Sequence, residues 1–210
     1  MSVDTAARVQ IHRPLPAEEQ ARADFYALFA RLLGGPPDAQ LLGAIAASAE
    51  IPADGDPALA RAWADFVAAS SVMDPEAVAE EFHELFEGVG HAQVSIYSAF
   101  YVGATSMDHP RVKLQADLAV LGLAQRERVT EPEDHFAGIC EVMRVLVAGG
   151  AGRSPGTVAE QRSFWLAHLE AGIGKFLKAM AEAPSANYYR TVAALGLAFT
   201  AIESESFRLG

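Results

Sequence analysis

The stretch PAEEQARADFYALFARLLGGPP, residues 16–37, shows in miniature how the whole chain is built. Phe25, Leu28, Phe29, Leu32 and Leu33 recur at i, i+3, i+4, i+7 and i+8, the spacing that lines one face of a helix, and Gly34-Gly35-Pro36-Pro37 ends it. The same signals return further on. Asp56-Pro57, Asp74-Pro75 and Ser154-Pro155 each offer a capping side chain followed by proline at the first helical position. Thr130-Glu131-Pro132-Glu133 reads as a capping box, while Gly88-Val89-Gly90 and Gly149-Gly150-Ala151-Gly152 mark interruptions. Helices are expected near 16–33, 38–48, 57–72, 75–87, 95–106, 110–123, 131–148, 155–182 and 185–206. Strand alternation is nearly absent, and no stretch repeats at the period of a helical solenoid. The expected fold is all-α: a single-domain helical bundle of about nine helices over residues 16–210, preceded by a flexible N-terminal tail over residues 1–15.

Composition narrows the function. With 210 residues, 51% of them hydrophobic, the chain can bury a core large enough to offset the ordering entropy of folding, which excludes general disorder. Sixteen Lys and Arg against 27 Asp and Glu leave a net charge of -11, so a surface that tracks nucleic-acid phosphates is not expected. The single cysteine, Cys140, permits no internal disulfide and no cysteine-based zinc site. The longest apolar run, Val192 to Ile202, would span only about 16 Å as a helix against the ~30 Å of a bilayer core, so stable membrane insertion is not expected. Asp4, Arg8, His12 and Arg13 stand in the first thirteen residues with no apolar run behind them, so no export leader is expected there and a cytoplasmic location is.

Three segments gather chemistry-bearing side chains. The first, DPEAVAEEFHELFEGVGH over residues 74–91, holds six acids and no Lys or Arg, with Glu80, His83, Glu84 and Glu87 at i, i+3, i+4, i+7. Glu80-x-x-His83 has the spacing found in helical-bundle di-metal sites, yet such a site needs a second Glu-x-x-His. Glu131 and His135 are four apart, and Trp165 stands three before His168. A solvated acidic face is the plainer account, and a field that draws a basic peptide lies between the two. The second segment, Glu131-Pro132-Glu133-Asp134-His135, opens a mostly apolar helix with acids in its first turn, where they complement the positive helix end. Asp134 and His135 are adjacent and point about 100° apart, which suits them poorly as a direct acid/base couple. The third runs from Phe82 to Gly90 and on through Ser95-Ile96-Tyr97-Ser98-Ala99-Phe100-Tyr101, aromatics crowded around a two-glycine break. The glycines allow a left-handed stop, and Tyr97 and Tyr101 are expected at i, i+4 on the next helix. Core packing explains most of this segment; a groove for an apolar peptide explains the rest.

Together these segments resemble the TorD/DmsD/NarJ family of cytoplasmic chaperones for molybdenum-cofactor oxidoreductases. Leu85-Phe86-x-Gly88-x-Gly90 followed by Ser95-x-Tyr97 is similar to the family's Leu-Phe-x-Gly-Pro-Gly…Ser-x-Tyr stretch, and Glu131-Pro132-x-Asp134-His135 to its Glu-Pro-x-Asp-His hinge motif. Phe164-Trp165-x-x-His168-Leu169 through Asn187-Tyr188-Tyr189 resembles the family's closing helices. Phe82 stands where the family commonly has tyrosine, and Val89 where it commonly has proline. Val94-Ser95-Ile96-Tyr97-Ser98 is most similar to members that accompany formate dehydrogenase catalytic subunits.

The resemblance implies a TorD-like helical fold without catalytic activity, resident metal or cofactor. The partner it implies is the catalytic subunit of a molybdopterin oxidoreductase, bound through its leader peptide, its immature body or both until the cofactor is inserted. Asp134 and His135 would contact peptide or act as a hinge, while Leu85, Phe86, Ser95 and Tyr97 shape the groove. Glu131 and Pro132 would set the helix start, with Gly88 and Gly90 as motif glycines. The chaperone is expected as a monomer or a homodimer. Two alternatives stand beside it: a helical-bundle metal enzyme using Glu80 and His83, and a helical scaffold without leader recognition.

Overall fold

The computed structural model describes residues 14–52, 55–88, 92–102, 110–123, 132–150 and 152–209. Ten α-helices follow one another: α1 Ala17–Leu33, α2 Ala39–Ala46, α3 Pro57–Val72, α4 Pro75–Phe82, α5 Ala99–Val102, α6 Pro110–Val120, α7 Phe136–Ala148, α8 Val158–His168, α9 Ile173–Glu182 and α10 Tyr188–Leu209. A π-helical turn, His83–Glu87, extends α4. No strand occurs among the described residues, so the all-α expectation holds. Of the expected tail, residues 1–13 lie outside the described residues.

Two long contacts organise the bundle: α1 lies along α7, and α10 packs between α9 and α3. The face of α1 turned inward carries Ala23, Tyr26, Phe29, Leu32 and Leu33. Phe25 and Leu28 flank that face, with the Phe25 ring edge-on to Trp63 at 5.8 Å and stacked on Phe199 at 5.0 Å. Tyr26 goes inward because its hydroxyl donates to Glu203 of α10 at 2.6 Å, which satisfies a polar tip that burial would otherwise strand. Arg22 grips the same carboxylate with Nε at 2.7 Å and Nη2 at 2.9 Å, and donates from Nη1 to Gln161 of α8 at 3.1 Å. Burial alone would lower the Arg22 pKa; the Glu203 carboxylate more than reverses that and keeps the guanidinium charged. Burial and the nearby Glu203 carboxylate push the Tyr26 phenol well above its ordinary value, so it stays a donor.

The starts at Asp56-Pro57 and Asp74-Pro75 form as expected: Asp56 accepts from the Leu59 amide, and Asp74 from those of Glu76 and Ala77. Four expectations need correction. Ser154-Pro155 does not open a helix, because the Gly156 amide turns back to the Leu146 carbonyl at 2.7 Å; α8 begins later, where Thr157 and Glu160 form a capping box. Residues 155–182 are two helices rather than one, parted at Leu169–Gly172, and a Cβ at Gly172 would lie within 3.3 Å of Val102 and 3.4 Å of Tyr101. That glycine lets the start of α9 approach α5. The helix expected from 95 is reduced to α5, since residues 92–98 form no helix and Tyr97 pairs across to His135; residues 103–106 lie outside the described residues. The helix expected from 131 begins at Phe136, with His135 as its cap, so Glu133 stands ahead of it in a turn; Thr130 and Glu131 lie outside the described residues.

Candidate functional site

The acidic segment does two different things. Glu80, His83 and Glu84 face solvent, and His83 Nδ1 meets Glu87 Oε2 at 2.7 Å. Glu81 faces inward, where its carboxylate accepts the amides of Asn187, Tyr188 and Tyr189 at 2.8, 2.9 and 2.7 Å, capping the start of α10. Past it the helix widens into the π turn. Leu85 sits fully buried, and Phe86 packs edge-on against Phe82 at 5.0 Å and Tyr189 at 5.4 Å. Gly88 has φ of -31°, so the expected left-handed stop does not occur at this glycine; Val89 and Gly90 lie outside the described residues.

The chain returns to this turn when the Val94 amide donates to the Leu85 carbonyl at 2.9 Å. From there residues alternate: Val94, Ile96 and Ser98 are buried, while Gln93, Ser95 and Tyr97 face outward. The two recognised motifs meet along this segment. The Phe136 amide donates to the Ile96 carbonyl at 3.1 Å and the Ser98 amide to the Asp134 carbonyl at 2.8 Å, which sets Tyr97 opposite His135 with their rings edge-on at 5.5 Å. His135 Nδ1 accepts the Ala137 amide at 3.1 Å, so it is the unprotonated nitrogen and the ring serves as the α7 cap. The Pro132 carbonyl accepts the His135 amide at 3.2 Å and closes the turn before the helix. Glu131 lies outside the described residues.

Beside this junction opens a cleft of about 270 Å³, lined by Phe86, Gln93, Ser95, Tyr97, Phe100 and Tyr101 among others. The Tyr101 hydroxyl donates to the Ser95 carbonyl at 2.8 Å, and burial pushes its pKa up to about 12. Tyr97 and Phe100 are 37% and 71% exposed, so two aromatic rings stand at the rim with water on one side. Gln93 fixes the far wall by donating to Ser185 Oγ at 2.7 Å. Of the sequence-expected groove residues, Phe86, Ser95 and Tyr97 line the cleft. Leu85 lies beneath it in the core, and Asp134 and His135 are buried, His135 meeting the cleft-lining Tyr97 ring edge-on. Sequence reasoning missed Gln93 and Phe100 as lining residues; the i+3 position of Phe100 beside Tyr97 and Tyr101 is the signal that could have found Phe100.

Chemically the cleft offers aromatic faces, hydroxyls and an amide, a surface for holding an apolar or hydrogen-bonding segment. Burial pushes the Cys140 thiol up to about 12, so it stays protonated in the core. No group of three or more His, Cys, Asp or Glu able to hold a metal ion occurs among the described residues, and Glu80 and His83 stand on an open surface. No helix among the described residues is long and apolar enough to cross a membrane.

The described residues form an all-helical bundle with an aromatic cleft beside the meeting of the two motifs. The chain matches the family model described as nitrate reductase delta subunit over residues 53–178, more than half its length and every residue named as lining the cleft except Ala179 of α9. No individual curated protein matches it. The chain belongs to this NarJ/TorD-type family of redox-enzyme maturation chaperones.

Proposed function

We propose that this chaperone holds the catalytic subunit of a molybdopterin oxidoreductase in the cytoplasm, by its leader peptide and by its immature body, until the cofactor is inserted, and that it catalyses no reaction of its own. The observation that carries the reading is the cleft at Phe86, Ser95, Tyr97, Phe100 and Tyr101, where aromatic surface stays in water. Covering such surface is favourable by about 25 cal/mol per Å² before the costs of association. The chain's charge of -11 supports a partner with basic residues near its apolar stretch, because opposite fields steer encounter. The run Val94 to Ser98 supports a formate dehydrogenase catalytic subunit as the client.

Affinity capture with the full chain, from cells induced to make molybdoenzymes, tests this. The expected result is co-purification of a cofactor-free oxidoreductase catalytic subunit, lost when its leader is deleted or competed by the leader peptide. Recovery of no oxidoreductase under these conditions contradicts it.

A further inference from the structure

Behind the cleft wall lies an ion pair between two helices' ends. Arg111, in the first turn of α6, places Nε 3.3 Å from Asp134 Oδ1 and Nη2 3.7 Å from Glu133 Oε2. The partners are unequal: the Asp134 side chain is 4% exposed, that of Arg111 43%. Asp134 Oδ1 and Arg111 Nε are both withdrawn from water, and neither makes an aligned hydrogen bond among the described residues. A buried carboxylate oxygen served only by a misaligned charge is a poor arrangement, and a guanidinium that met it with its full fork would serve it better.

The helix that carries Arg111 is lightly held. Leu114 is the one fully buried residue of α6, and Val112 and Val120 face solvent. Leu118 of α6 and Leu121 just past its end pack half-buried against the core, and the other ties are polar: Gln115 Nε2 donates to Glu133 at 3.0 Å, Asp117 meets His168 at 2.8 Å, and the Arg153 guanidinium caps the Leu121 carbonyl. Asp134 in turn is fastened to the cleft, since its carbonyl accepts the Ser98 amide and its neighbour His135 abuts Tyr97.

Resting on the client-peptide reading, we infer that Arg111 is an internal stand-in for the client. In the free chaperone it occupies the acidic point at Asp134 and Glu133; an arginine of the client's basic segment takes that point over, α6 is released, and the adjoining apolar stretch fills the cleft. Charge complementarity selects this occupant, because the point is a buried carboxylate beside a second acid and already accommodates a guanidinium.

Fluorescence anisotropy on the full chain tests the exchange, using a labelled peptide with two arginines ahead of an apolar stretch and its dilysine twin. Arg111→Gln is expected to bind the arginine peptide about 2- to 5-fold more tightly than the unmodified chain, the range a competing ion pair with one half-exposed partner commands, and to gain less on the lysine peptide. Asp134→Asn is expected to weaken binding, and adding Arg111→Gln to it to change nothing further. Unchanged or weaker binding by a folded Arg111→Gln, or tightening that persists beside Asp134→Asn, overturns the exchange. Should Arg111→Gln fail to fold, Arg111→Lys keeps the charge without the fork, and an unchanged affinity there overturns it equally. Binding by the unmodified chain with no gain in the variants removes this inference alone; absence of peptide binding by every protein removes the functional reading with it.

Discussion

Glu81 is one of six acids in a run that reads as a uniform negative face, yet it alone turns inward and takes three backbone amides at the start of α10. Glu81→Ala strands those amides and is expected to cost about 2–4 kcal/mol, read as a lowered denaturation midpoint with an unchanged slope; a loss below about 0.5 kcal/mol would show that water replaces the carboxylate. Which acid turns inward was not legible, because its partners lie more than a hundred residues away. Asp134 and His135 illustrate the opposite case. Their motif was legible in full, but adjacency said nothing of what each would do: His135 caps α7 while Asp134 faces α6. Phe86, Ser95 and Tyr97 line the cleft, while Leu85 lies in the core beneath it on the π turn.

Among the elements, most helices were legible from apolar spacing and Asp-Pro starts, which are local signals. The departures come from tertiary demands. Residues 155–182 break at Leu169–Gly172, where Gly172 lies close against α5, and residues 92–98 stay out of a helix because the return to Leu85 and the pairing with residues 134–136 hold them there. The docking of α6 on α8 carries a pH dependence. Burial holds the His168 pKa below its ordinary value against the opposing pull of Asp117. The unfolded chain therefore takes up that proton more readily, and stability falls as pH drops below about 6.5 toward the folded value. Asp117, whose pKa is lowered because Lys113 and His168 outweigh its burial, adds a further loss only as pH falls through the folded value of a carboxylate, below about 4. His168→Gln is expected to show a smaller drop in melting temperature between pH 7.5 and 5.5 than the unmodified chain; an identical drop would place the sensitivity elsewhere.

At the scale of the whole molecule, the family match ends within α9 and begins before α3, so α1, α2 and α10 lie outside it. These outer helices are still integral to the fold, because α1 runs along α7 and the Arg22–Glu203–Tyr26 cluster ties α1 to α10. The open aromatic cleft at Tyr97 and Phe100 is the arrangement on which the functional reading rests. The most direct measurement is isothermal titration of a client-type leader peptide, basic residues ahead of an apolar stretch, into the unmodified chain and into the Tyr97→Ala/Phe100→Ala double variant. Both rings are exposed, so the variant should melt within a degree or two of the unmodified chain while its affinity falls by about tenfold or more. Equal affinity in the two proteins would contradict the cleft as the place where the client is held.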